Sequence, residues 1–112
     1  MNKTKPKTLQ KCKIGLIQIS MNKNPDENLK KAITWIERAA KKGADVICLP
    51  ELFRSQYFCQ KEDIANFNLA ETIPGPSTDE ISKVCKKLNV VVVASLFEKR
   101  ASGIYHNTIQ TI

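Results

Sequence analysis

One carboxylate stands where an apolar run breaks. Residues 46–53 read VICLPELF, so Glu51 lies between Pro50 and the hydrophobic pair Leu52 and Phe53. An apolar environment rejects an ionised glutamate unless it is paired or neutralised. Two readings follow. Glu51 is a structural carboxylate salt-bridged to a cation such as Arg54, or it is a carboxylate that moves a proton for a reaction. Spacing alone leaves the two even. Nucleophiles come next. The chain has four cysteines, Cys12, Cys48, Cys59 and Cys85. Cys48 sits inside the apolar run and Cys85 on a helical apolar face, so both read as small buried hydrophobes. Cys59 follows Glu51 in an aromatic stretch with Tyr57 and Phe58. No CxxC pair occurs, and His106 has no Cys or His beside it, so no metal is expected. His106 has no role that its context supports.

These groups need elements to position them. Residues 13–20 read as a first strand, rich in β-branched side chains. Asn24 then caps a helix, with Pro25 at its first position and Glu27 placed to complete a capping box. Leu29, Ala32, Ile33, Ile36 and Ala40 form one apolar stripe. Lys41 and Lys42 suit the negative helix end, and Gly43 supplies the left-handed stop. Trp35 flanks the stripe and reads as packing.

Residues 44–49 form a second strand, apolar on both faces, as a parallel strand covered by a layer on each side requires. Strand, helix, strand makes a right-handed βαβ unit. Residues 53–72 read as a long irregular segment, and loops of that length in compact domains are often functional. After Ile73-Pro74-Gly75-Pro76, Ser77 reads as the cap of a second helix with Glu80 three residues on. Its buried stripe is Ile81, Val84, Cys85 and Leu88. Residues 90–97 form a buried third strand and 98–103 a polar turn. Residues 104–112 form a fourth strand, antiparallel to the third. In open α/β sheets ligands bind outside the carboxyl ends of strands. Glu51 is at such an end.

A length of 112 residues allows one small domain with a core. The net charge of +7 would point to nucleic acid, but five of the lysines lie in residues 1–13, which carry no acid. The remainder is 13 basic against 11 acidic residues. The excess belongs to residues 1–12, read as a basic disordered tail, and residues 13–112 form the domain. No aromatic residues interleave with those lysines, so neither nucleic acid nor membrane is an expected partner. The tail lacks the apolar segment of a secretory signal, and the longest uncharged apolar stretch is too short to span a bilayer. Together with cysteines lacking a disulfide framework, this fits a reducing cytoplasm. A last strand that runs to the final residue, under only two helices, points to the N-terminal piece of something larger.

At this point a family enters. Gly15-Leu16-Ile17-Gln18, then Gly43 to Phe53 with LPELF at its end, resembles the opening of the nitrilase superfamily of carbon–nitrogen hydrolases. IPGPST at 73–78, VVVVASLFEK at 90–99 and YHNT at 105–108 continue the resemblance over residues 11–112. YFCQ at 57–60 resembles the N-carbamoylputrescine amidase branch. The resemblance implies an α/β fold, the N-terminal part of an α-β-β-α sandwich. It implies a Glu-Lys-Cys triad in which Glu51 is the general base for a cysteine thiol, with the lysine and cysteine beyond Ile112. It implies hydrolysis of a linear amide or ureido substrate, first N-carbamoylputrescine to putrescine, carbon dioxide and ammonia, in polyamine synthesis. It implies no cofactor, a small-molecule substrate and a homo-oligomer at full length. Tyr57 would line the substrate pocket or anchor its loop as an aromatic. Cys59 would be a pocket-wall or structural residue, and Asn107 and Thr108 would organise backbone around the fourth strand. Apolar neighbours of Glu51 would keep water away and raise its proton affinity.

Three alternatives stay open. The chain is another amidase of the superfamily (an ω-amidase, a β-ureidopropionase or an aliphatic amidase), a non-catalytic interaction module with an exposed sheet edge, or a binder of nucleic acid through its lysine arm.

Overall fold

The computed structural model describes residues 11–56 and 64–112. The order is β1 (Ile14–Leu16), α1 (Pro25–Lys41), β2 (Val46–Cys48), a short 3-10 helix (Ile64–Leu69), α2 (Pro76–Leu88), β3 (Val91–Ala101) and β4 (Ile104–Thr111). One sheet holds the strands in the order β1-β2-β3-β4. The first three run parallel and β4 is antiparallel to β3. Each parallel crossover steps the same way along the sheet. With a common right hand, both helices must then land on the same face.

That face carries the core. Ala32 and Ile36 of α1, Ile81 of α2, Ile47 of β2 and Val92 and Ala94 of β3 are all fully buried there, with Phe53 beside them. Burying the isoleucine, valine and phenylalanine side chains contributes about 1.5–3 kcal/mol each. Gly15 has its place here for a steric reason. A Cβ on it would press within 3.2 Å of the Ala39 Cβ, so β1 can approach α1 closely.

The other face of the sheet is uncovered among the described residues. Leu16 is 78% exposed and Ile109 71%, with Ile14 and Val91 also open. Among the described residues β2 is therefore covered on its helix side alone. Cys48 points to this side and is only half-buried, whereas Cys85 is buried as its stripe predicts.

The ends of the elements also differ in detail. Asn24 does cap α1, its Oδ1 accepting from Asp26 N and Glu27 N. Glu27 closes no capping box, because the Asn24 N–H already donates to Asn22 Oδ1 at 2.7 Å. Gly43 takes φ +93, as its stop role requires. At α2 the cap is Gly75, not Ser77. Gly75 N donates to Thr78 Oγ1, which donates back to Gly75 O. A Cβ on Gly75 would collide with the Thr72 carbonyl, so only glycine fits. Ser77 lies inside the first turn, where its N–H and hydroxyl both donate to the Glu71 carboxylate. Glu80 pairs instead with Lys83 on the surface. β3 runs on to Ala101, past the expected end at Phe97. Its charged tail pairs with β4 through Glu98↔His106 and Lys99↔Tyr105, and a bulge interrupts the ladder between Lys99 and Ala101. Ladder hydrogen bonds do not need apolar side chains, which is why the sequence read as a turn.

Candidate active site

β2 ends at Cys48, and the chain turns over residues 49–56. Leu49, Leu52 and Phe53 are buried, so hydrophobic anchors on either side of Glu51 pin the turn. Leu52 takes φ +49, a left-handed conformation unusual for a side chain of its size. The apolar residues around Glu51 therefore fix the backbone. They do not enclose the carboxylate, which is exposed on the open side of the sheet.

Among the described residues Glu51 has one partner, and it is not a cation. Asn107 Nδ2 donates to Glu51 Oε1 at 2.9 Å from β4. Asn107 Oδ1 in turn accepts from the Ser95 hydroxyl at 3.2 Å. Ser95 Oγ accepts from the N–H of Leu52 at 3.0 Å. Ser95 belongs to the uncovered side of β3, with Val93 and Phe97, opposite Ile109 of β4. Leu49, Glu51, Val93, Ser95, Asn107 and Ile109 line a cavity of about 340 Å³. Thus the carboxyl end of β2 and the centres of β3 and β4 meet at one concavity.

Arg54 does not bind Glu51, contrary to the salt-bridge reading. Its Nη2 meets Asp26 Oδ1 at 3.0 Å, and its Nη1 meets Glu71 Oε2 at 3.2 Å and Ser77 Oγ at 2.8 Å. Its Nε donates to the Pro25 carbonyl at 3.0 Å. The buried Asn28 donates from Nδ2 to the Arg54 carbonyl. One guanidinium thus ties the turn after Glu51 to the first turns of both helices. Fork geometry suits arginine to such a node.

Next to the site, Phe67, Phe97 and Tyr105 pack together, with ring centroids 4.5 to 6.0 Å apart. Phe97 is the cross-strand partner of Asn107. Tyr57 and Cys59 lie outside the described residues, so their expected places beside the pocket are untested. Among the described residues, no three His, Cys, Asp or Glu side chains gather as a metal site would require. No helix among them is long and apolar enough to cross a membrane.

Ser95 escaped the sequence reading, and Asn107 was given only a backbone role. The first had one signal: it is the lone hydroxyl in the apolar run at 90–97. The second had the YHNT motif, which marks Asn107 but not its partner, because what it touches depends on the β3–β4 register. Thr108 also uses its side chain, donating to Glu98 Oε1 at 2.8 Å on the helix side.

Comparison with known proteins agrees with this frame. Citrullinase of Francisella tularensis is 38% identical over 96 residues, covering 85% of this chain and 34% of that protein. An omega-amidase of Xenopus laevis is 33% identical over 100 residues, 89% of this chain and 35% of that protein. N-carbamoylputrescine amidase of Oryza sativa is 33% identical over 103 residues, 91% of this chain and 34% of that protein. The chain spans about a third of the length of these curated relatives. The carbon-nitrogen hydrolase of Helicobacter pylori G27 superposes with a TM-score of 0.79 at 33% identity, over 89% of this chain and 35% of that one. A superfamily protein of Xanthomonas campestris shares the fold, with a TM-score of 0.73 at 21% identity over 92% of this chain and 40% of that one. The family description carbon-nitrogen hydrolase matches residues 13–112, and the chain belongs to that family.

Proposed function

We propose that residues 13–112 are the N-terminal part of a hydrolase that cleaves a linear amide or ureido carbon–nitrogen bond, with Glu51 as its general base. The observation that carries this is the placement of Glu51. It stands at the carboxyl end of a parallel strand, in a concavity, with one oxygen held by Asn107 and no cation neutralising it among the described residues. Such a carboxylate is free to accept a proton. In the reaction we assign, Glu51 takes the proton of a cysteine thiol, and the thiolate attacks the ureido or amide carbon. A lysine stabilises the oxyanion. Ammonia leaves, and water hydrolyses the acyl-thiol intermediate. By family resemblance the lysine and the cysteine lie beyond Ile112. We therefore assign no turnover to the 112-residue chain alone.

The substrate we place first is N-carbamoylputrescine, because the YFCQ motif carries that resemblance and the rice enzyme of that name is among the relatives. Citrulline, named by the citrullinase relative, carries the same ureido group, which supports the ureido class as a whole. A second reading is an ω-amide substrate, since the frog omega-amidase matches with equal identity. We also propose that the open sheet face packs against the second sheet of the α-β-β-α sandwich, and that the full-length enzyme is a homo-oligomer. Exposed leucine and isoleucine on that face support the sandwich.

The test is ammonia release by the full-length protein from N-carbamoylputrescine, citrulline and an ω-amide acid, each with and without Glu51→Gln. We expect the ureido compounds to give the higher kcat/KM. Loss of the base should lower turnover by about 10²–10⁴-fold. Turnover unchanged by Glu51→Gln would sink the base assignment. A preference for the ω-amide would replace the substrate class.

A further inference from the structure

The hydrogen bonds around Glu51 have a direction, and it is enforced. The Leu52 N–H donates to Ser95 Oγ at 3.0 Å. A backbone N–H can only donate, so that contact occupies a lone pair of Ser95. The single hydroxyl hydrogen then goes to Asn107 Oδ1 at 3.2 Å. With its carbonyl end occupied, the Asn107 amide must present its NH2 to Glu51 Oε1, at 2.9 Å. A flipped amide would set its oxygen against the carboxylate, which can only accept, and would leave the Ser95 hydroxyl hydrogen without its Asn107 acceptor. The chain of bonds begins at the peptide N–H that follows Glu51 and ends on the carboxylate of Glu51 itself. It closes a ring through the Glu51–Leu52 peptide bond, next to the left-handed Leu52, φ +49. Ser95 is 8% exposed, so little water competes for its hydroxyl.

We propose that Asn107 is a positioning residue for Glu51, and that the Ser95 hydroxyl, by donating to Asn107 Oδ1, holds the amide with its NH2 toward the carboxylate. The proposal rests on the assignment of Glu51 as general base. Asn107 engages Oε1, so Oε2 is the oxygen left for the incoming proton, and the carboxylate is held in one rotamer before substrate arrives. This preorganisation matters most for the chemical step and least for substrate affinity. Asn107 does not itself touch the reacting atoms in this assignment.

The experiment uses the full-length hydrolase. We would measure kcat and KM for Asn107→Leu, Asn107→Asp, Ser95→Ala, Ser95→Thr and the Ser95→Ala/Asn107→Leu pair, with urea midpoints alongside. The side-chain amide resonance of Asn107 would be followed in wild type and Glu51→Gln. Asn107→Leu and Asn107→Asp should lower kcat by up to about 100-fold, with KM near wild type. Asn107→Asp keeps the shape and loses the donor, so it serves if the leucine variant folds poorly. Ser95→Ala should lower kcat and Ser95→Thr restore it. The double variant should be no worse than Asn107→Leu, because both residues act through one relay. The Asn107 amide resonance should move on Glu51→Gln. Folded Asn107 variants with wild-type kcat, beside an inactive Glu51→Gln, would overturn the positioning role and leave the base assignment standing. An Asn107 resonance indifferent to Glu51→Gln would overturn the contact. Turnover surviving Glu51→Gln would remove the base assignment and the positioning role with it.

Discussion

Arg54 and Glu71 meet at 3.2 Å beneath the first turns of both helices, with side chains 16% and 12% exposed. Glu71 also receives the Ser77 N–H and hydroxyl, and Arg54 also holds Asp26 and the Pro25 carbonyl. Removing Arg54 leaves the Glu71 carboxylate without a cation in a desolvated place, and removing the Glu71 charge leaves Arg54 only the exposed Asp26, so either loss costs more than the pair contributes. Arg54→Met and Glu71→Gln should each lower stability by about 3 kcal/mol. The double variant should lose less than the sum. Urea denaturation checks this, and full additivity would rule out the coupling.

Leu52 sets two terms against each other. Its left-handed backbone, φ +49, costs about 1–2 kcal/mol. Its side chain is 3% exposed, and truncation of such a leucine costs about 2–5 kcal/mol. Burial wins, so Leu52→Ala should destabilise. Leu52→Gly should be no worse than Leu52→Ala, although glycine normally loses about 1 kcal/mol to alanine. A glycine variant clearly less stable than the alanine variant would show that the backbone strain is absent.

The buried Cys85 thiol gives a pH dependence. Desolvation pushes it above the ordinary value of 9.0, and a backbone hydrogen bond at Val92 opposes the shift in part. The neutral thiol is thus favoured in the fold. Its contribution to stability is full below 9.0. It is lost as pH rises from there through the raised folded value, because only the unfolded chain ionises in that window. Wild type should lose stability relative to Cys85→Ala as pH climbs past 9.0, read from urea midpoints. A difference independent of pH across that window would contradict the burial of the thiol.

Leu16 and Ile109 test the sandwich. On the open face, Leu16→Asp and Ile109→Asp should change the stability of the 112-residue chain by no more than about 0.5 kcal/mol. In the full-length protein a second sheet would bury those positions. The same variants should then cost about 3 kcal/mol or more, the penalty of an unpaired buried charge. Thermal denaturation of both forms decides it. Equal, small effects in both would mean that nothing covers the face.

The sequence by itself determined the elements and the family. Asn24, Pro25 and Gly43 mark the ends of α1, and two amphipathic stripes identify the helices. LPELF placed Glu51 at the end of β2. These features are local, so propensity, capping and periodicity reach them. Gly75 displaced Ser77 as the cap because a carboxylate from outside the helix, Glu71, satisfies Ser77. β3 outran its apolar stretch because strand pairing, not hydrophobicity, sets a ladder's length. Only the tertiary structure decided what Glu51 touches. Glu51 and Asn107 are 56 positions apart, and a one-residue slip in the β3–β4 register would turn Asn107 to the helix side. The same holds for Arg54, three residues from Glu51 and drawn instead to Asp26 and Glu71. Side-chain partners across a sheet are set by register and by the face on which the helices land. Both are properties of the assembled chain, which no stretch of its sequence contains.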